Sequence, residues 1–243
     1  MSQRLYKEWF VNFKFPGHET AKFVDSPLGM IPEGWRVEKI KNLCDSINYG
    51  FTASAIKESD SGKPRFLRIT DIVPEVINWE NVPFCEISLR DTYKYQLKEG
   101  DIVIARTGAT TGFAKRLNKW HPKAVFASYL VRITPKRSIG KHLLGIAVES
   151  LEYKEFVKKN LGGSAQPQAN AQVLTSMDAI VPTPEIIEKF DVLIESLIDQ
   201  KELLQLKNTN LRKTRDMLLP KLISGELDVE ELDIDTGEAF VES

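Results

Sequence analysis

The sequence predicts an α+β fold: a domain on a mixed, curved sheet, followed by a long helix able to form a coiled coil. Three observations carry this. Short β-branched runs bounded by turn residues recur between Trp35 and Val181, as in Asp101–Ala105 after Glu99-Gly100. Segments with helical spacing alternate with those runs. After Pro182-Thr183-Pro184 the chain then runs to Leu219 without glycine or proline, with leucines in heptad register. At 243 residues, 42% hydrophobic and 28% charged, the chain has the balance of one large or two modest globular domains. That balance excludes a fibrous or wholly disordered polymer.

The first element is a helix over residues 1–16. Leu5, Tyr6, Trp9, Phe10 and Phe13 lie on one face of Arg4–Phe15, and Pro16-Gly17 ends it. A helix of about twelve residues is marginal alone, so its aromatic stripe needs a distant part of the chain or another subunit. Residues 17–34, rich in turn formers, read as a linker. Residues 35–184 form the main domain. Its expected strands are Pro64–Ile72, Asp101–Ala105, Phe113–Arg116, Ala124–Ile133 and Asp178–Val181, and its expected helices are Trp35–Leu43, Ile139–Ser150 and Tyr153–Asn160.

The long helix, residues 185–222, repeats Phe190, Leu197, Leu204, Leu211 and Leu218 at one heptad position. Ile186, Leu193, Gln200, Lys207 and Thr214 form the second row, apolar only in its first half. Phe190, Leu193, Leu197, Leu204, Leu211 and Leu218 are therefore the expected dimerisation seam, and the polar second row favours one defined register. Residues 223–243 follow as an acidic, mobile tail, with eight acids and no base from Glu226 onward.

Net charge is −1, but it is unevenly placed. Residues 35–181 hold 22 Lys/Arg against 15 Asp/Glu, and residues 182–243 hold 7 against 15. From Ile102 to Val148 there are nine Lys/Arg and no acid. Such a segment suits a polyanion, and equally suits a solvated basic face without a partner. No stretch approaches the roughly 18 apolar residues of a membrane span. Cys44 and Cys85 cannot build a disulfide framework, and no basic stretch leading into an apolar core opens the chain, so a cytoplasmic location is expected.

No catalytic constellation emerges. Gly108-Ala-Thr-Thr-Gly112 lacks the lysine of a phosphate loop, and His18, His121 and His142 are not at metal spacing. The cysteines read as buried apolar residues. Glu152 and Lys154 match a nuclease-like triplet, but on a predicted helix. What remains is two polar loops flanking the acid-free segment: the strand end and turn Gly100–Gly112, and the amide-rich Gly162–Asn170. Arginine can read guanine bidentately, Gln and Asn can read adenine, and glycines let backbone approach phosphate.

In this order along the chain, LGMIPEGW (28–35), FLRITDI (66–72), GDIVIARTG (100–108), GSAQ (163–166), IVPTP (180–184) and LLPKLISGEL (218–227) resemble the DNA-specificity subunits of type I restriction–modification systems. WFVNF (9–13) resembles the end of a helical repeat in that family. The family pattern holds two target-recognition domains, each followed by a long helix, and this sequence carries half of it. The resemblance implies a non-catalytic chain that binds double-stranded DNA and recruits methyltransferase and restriction subunits. It also implies a homodimer, or pairing with a second half-subunit. S-adenosylmethionine, ATP and Mg²⁺ would belong to those partners, with no cofactor or metal in this chain. It makes Arg68, Thr70, Arg106, Thr107, Thr110, Thr111, Lys115, Arg116, Gln166, Gln168 and Asn170 the candidate DNA contacts. The competing expectation is a helical interaction scaffold that does not touch DNA.

Overall fold

A computed structural model describes residues 1–57, 62–161 and 168–227. The chain divides into two compact units, Met1–Ser196 and Leu197–Ser243.

In the first unit, α1 (Ser2–Phe10) leads through a short 3₁₀ turn to a hairpin of β1 (Phe23–Val24) and β2 (Ile31–Pro32). The expected linker is thus partly structured, its turn closed by Ser26 and Gly29 exchanging backbone hydrogen bonds. β3 (Arg36–Lys39) and a 3₁₀ turn, Ile40–Leu43, stand where a helix was expected. The reason is long-range: β3 pairs antiparallel with β12 (Asp178–Val181), from Asp178 against Lys39 to Val181 against Arg36. That register is invisible to local spacing.

Between those strands lie two four-stranded sheets. One is antiparallel in the order β4 (Cys44–Tyr49), β11 (Leu130–Pro135), β8 (Ile102–Ala105), β9 (Ala114–Arg116). The other is mixed in the order β10 (Ala124–Phe126), β6 (Arg65–Leu67), β7 (Phe84–Cys85), β5 (Ala55–Ile56), with β10 and β6 parallel. β8 is buried along its whole length, as its unbroken apolar run requires. Residues of β6 and β10 alternate between two clusters. Leu67, Ala124 and Phe126 face Val103, Ala105 and Leu130. Phe66 and Val125 face Cys85 and Ala127. Gly50 joins the sheets, because a Cβ there would strike the carbonyl oxygens of Phe126 and Ala127. The expected strand 64–72 breaks at Arg68, where the Asp71 carboxylate accepts the Arg68 N–H and starts α2 (Ile69–Ile72).

The remaining helices are α3 (Leu89–Tyr95), α4 (Leu143–Val148), α5 (Leu151–Lys159), α6 (Ala171–Leu174) and α7 (Pro184–Ile223). The aromatic stripe of α1 finds its partner inside the unit. Phe190 lies 4.8 Å from Phe10, 5.7 Å from Trp9 and 6.5 Å from Tyr6 between ring centroids. Trp35 continues the cluster onto Phe10, Phe13 and Phe15. Such pairs add about 0.5–1.5 kcal/mol each beyond area burial. Phe190 is fully buried here, with Ile186, Ile187 and Ile194. It therefore belongs to the core and leaves the expected dimerisation seam.

In the second unit, residues 197–227 are described. The helix continues through Pro220 to Ile223, one residue beyond the expected end. Leu204, Leu211 and Leu218 are exposed there, as are Leu203, Leu206 and Met217. Most of the predicted acidic tail, residues 228–243, lies outside the described residues. Among the described residues, no helix is long and apolar enough to cross a membrane.

Candidate nucleic-acid interface

The two polar loops meet. Thr107 bridges to Gln168, and Ala169 N–H donates to the Arg106 carbonyl at 2.8 Å. Tyr49, at the end of β4, ties them together. Its ring lies 4.9 Å beneath the Arg106 guanidinium, and its hydroxyl accepts the Ala171 N–H at 3.0 Å. Arg106 N–H donates to the Tyr129 carbonyl, which places a second exposed tyrosine beside it. Asn170 caps α6, its Oδ1 accepting from Val173 N–H at 2.8 Å. Arg106, Thr107, Gln168 and Asn170 thus gather at one end of the antiparallel sheet's strands, and the turn carrying Thr110 and Thr111 continues from it. Gln166 lies outside the described residues.

Of the other candidates, Arg68, Thr111, Lys115 and Arg116 have structural partners. The Arg68 Nε and Nη2 both donate to Asp71, at 3.0 and 2.9 Å. Thr70 is exposed on α2. Thr111 is buried, and its hydroxyl braces the turn by donating to the Gly108 carbonyl at 2.7 Å. Lys115 Nζ donates to the Glu75 carbonyl at 2.9 Å. Arg116 runs back over α4, where Gly145 has no Cβ to block it, and meets Glu149 at 3.0 Å. Its own N–H donates to the same carboxylate. Arg116 is therefore tied to α4 by a half-buried ion pair.

That pairing extends through the acid-free segment. Arg132 faces Asp101 at 3.8 Å, Lys141 meets Glu99 at 3.1 Å, and Lys119 meets Glu195 at 3.2 Å. All these carboxylates lie outside residues 102–148. The segment is basic in sequence but partly neutralised in space. Among the described residues Arg106 has no carboxylate partner, and its buried Nε has no hydrogen-bond acceptor.

The titratable groups singled out in the sequence have structural surroundings. Burial, with Asp45 beside it, pushes the Cys44 thiol up to about 12; burial and Glu86 push Cys85 up to about 11. Both thiols are protonated and inert at neutral pH. Lys154 of the nuclease-like triplet lies over the Phe113 ring at 4.2 Å. No group of three metal-ligating side chains occurs among the described residues.

Tyr49 and Tyr129 escaped sequence reasoning. Tyr49-Gly50 at a strand end is the only signal for the first, and Tyr129, beside the Ala127–Leu130 turn, has none.

The architecture is that of a type I specificity subunit. A crystal structure of the HsdS subunit from Thermoanaerobacter tengcongensis superposes with TM-score 0.52 at 17% identity, over 93% of this chain and 50% of that one. The S subunit from M. genitalium superposes with TM-score 0.58 at 14% identity, over 90% and 52%. Residues 32–210 match the family model described as type I restriction modification DNA specificity domain, and the chain belongs to that family. It is 28% identical over 230 residues to the type I restriction enzyme MjaIX specificity subunit of Methanocaldococcus jannaschii, covering 94% of this chain and 52% of that protein. It is 25% identical over 219 residues to the MjaVIII specificity subunit of the same organism, covering 88% and 51%. The chain spans about half the length of these curated relatives.

Proposed function

We propose that this chain reads DNA sequence as a specificity component of a type I restriction–modification assembly. The first unit takes one half-site through the edge formed by Tyr49, Arg106, Thr107, Gln168 and Asn170. The observation that carries this is the meeting of two polar loops around an arginine without a carboxylate partner. The exposed leucines of the second unit, Leu204, Leu211 and Leu218, are what a second specificity module would cover. With two identical copies, the target would be an inverted repeat of one half-site around a gap. Methyltransferase and restriction subunits would bring S-adenosylmethionine, ATP and Mg²⁺, and this chain would do no chemistry itself.

One observation favours the rival scaffold reading: Lys119, Lys141, Arg116 and Arg132 already face carboxylates, so the basic segment is less available than its sequence suggests. Selection of bound duplexes from a random pool, with and without a methyltransferase subunit, separates the two. A two-part symmetric motif, bound with steep salt dependence, is the expected result. Binding to the partner subunit alone, insensitive to duplex, would leave only the scaffold.

A further inference from the structure

We propose that the Lys154–Lys158 face of α5 is a contact surface for the DNA phosphate backbone beside the two polar loops. It holds the duplex without reading a base, and it lies outside the acid-free segment. This deepens the DNA-recognition proposal and rests on it.

α5 is fastened between the two loops. On one side the buried Val157 packs on the Gly108–Gly112 turn: a Cβ at Gly112, whose φ is 90°, would stand 3.0 Å from the Val157 Cβ. On the other side the buried Tyr153 hydroxyl donates to the Leu174 carbonyl at 2.7 Å, which ties α5 to α6, the helix capped by Asn170. Tyr153 and Val157 are four residues apart and form the buried face of α5. Lys154 and Lys158, also four apart, share the adjoining face, one turn from each other. The Lys154 ammonium lies over the Phe113 ring, 4.2 Å from its centroid, where the chain leaves the turn. A ring beneath it limits the side chain's freedom and leaves its charge intact. Lys158 is exposed. Among the described residues neither lysine forms an ion pair: Glu149, just before α5, is held by Arg116, and Glu155 of α5 itself pairs with neither. The acid-free segment presents the opposite case, since its Arg116, Lys119, Arg132 and Lys141 all face carboxylates. Ammonium groups are compact point charges without the planar fork that reads a base edge, so an unpaired pair of them beside the polar loops suits the backbone of a duplex that those loops touch.

The test is a salt titration of the whole chain, alone and with a methyltransferase subunit, against two labelled duplexes, one selected from a random pool and one unrelated. Lys154→Gln with Lys158→Gln is expected to weaken both duplexes by the same factor, about sixtyfold at 0.1 M salt, and to make the log–log salt slope shallower by about 1.8. Lys154→Arg with Lys158→Arg keeps the charge and is expected to keep affinity and slope. Lys141→Gln removes a lysine paired with Glu99 and is expected to change neither. Near-ultraviolet circular dichroism checks folding. Lys158→Gln alone, at an exposed position, keeps the test decisive if the double variant unfolds, with an expected loss of about eightfold and a slope shallower by about 0.9. A loss confined to the selected duplex would make these lysines base readers and overturn the proposal. Unaltered affinity for both duplexes would overturn it too, and if methyltransferase binding were lost in the same variant, the face would be a protein-docking surface instead. A wild-type chain that binds neither duplex, alone or with the subunit, overturns the DNA reading itself, and this contact with it.

Discussion

The long helix carries one sequence rhythm through two regions with opposite surroundings. From Pro184 to Ser196 its apolar face is inside the first unit, with Ile186, Ile187, Phe190 and Ile194 all buried. Carboxylates fix the flank of that stretch. Asp191 accepts the N–H groups of Lys141 and His142, and Glu195 meets the His142 ring at 2.8 Å. From Leu197 onward the same heptad continues, yet Leu204, Leu211 and Leu218 stay exposed. Periodicity states that a stripe will be covered; it does not state by what.

The comparison can be broken at its strongest point first. Phe190→Ala empties a site against three aromatic rings and is expected to cost about 3–5 kcal/mol. The melting temperature should fall by roughly 10 °C for a chain of this size, and a change below about 2 °C would mean the aromatic cluster is not the anchor. Asp191→Ala comes next, because it strips the acceptor from two backbone N–H groups, a loss of about 1–3 kcal/mol measurable by urea denaturation. A full loss of binding to duplex with no loss of stability would contradict that assignment.

Acid should act on the same flank. Burial holds the His142 imidazole below its ordinary value, outweighing Glu195 and Asp191, with Arg116 adding to the burial effect. The folded chain therefore binds fewer protons at His142 than the unfolded one. Its contribution is complete above about 6.5 and is lost as pH falls from there through the lower folded value. Burial raises the Glu195 carboxyl, but its hydrogen bonds to His142 and Lys119 prevail and hold it below the usual carboxylate range, so its own loss comes only at lower pH. Thermal midpoints measured from pH 7.5 to 5.5 should decline, and His142→Gln should flatten the decline. The smallest stability effect is expected at Leu204→Lys, within about 0.5 kcal/mol, because that side chain is exposed. Light scattering should nevertheless report a smaller particle. An unchanged mass would show that the second stretch does not join two copies.

These contrasts also mark what the sequence made legible. The buried strand Ile102–Ala105, the heptads and the need of Tyr6, Trp9 and Phe10 for a distant partner all follow from local patterning. Pairing across more than a hundred residues does not. Residues 35–43 have helical spacing, but β12 claims Arg36–Lys39 as a strand. The alternation of residues 64–72 stops at Arg68 because Asp71 caps a helix there. The two polar loops were visible as sequence, and their meeting through Tyr49 was not. The acid-free segment is less basic in space than in sequence for the same reason, since Glu99, Asp101, Glu149 and Glu195 reach it only through the fold.

One pairing has a wider consequence. Because Arg36 sits opposite Val181, the polypeptide enters and leaves the sheet-bearing body at neighbouring points. A body whose two ends meet behaves as a plug-in cassette, since an insertion or exchange between them leaves the chain on either side joined at the same place.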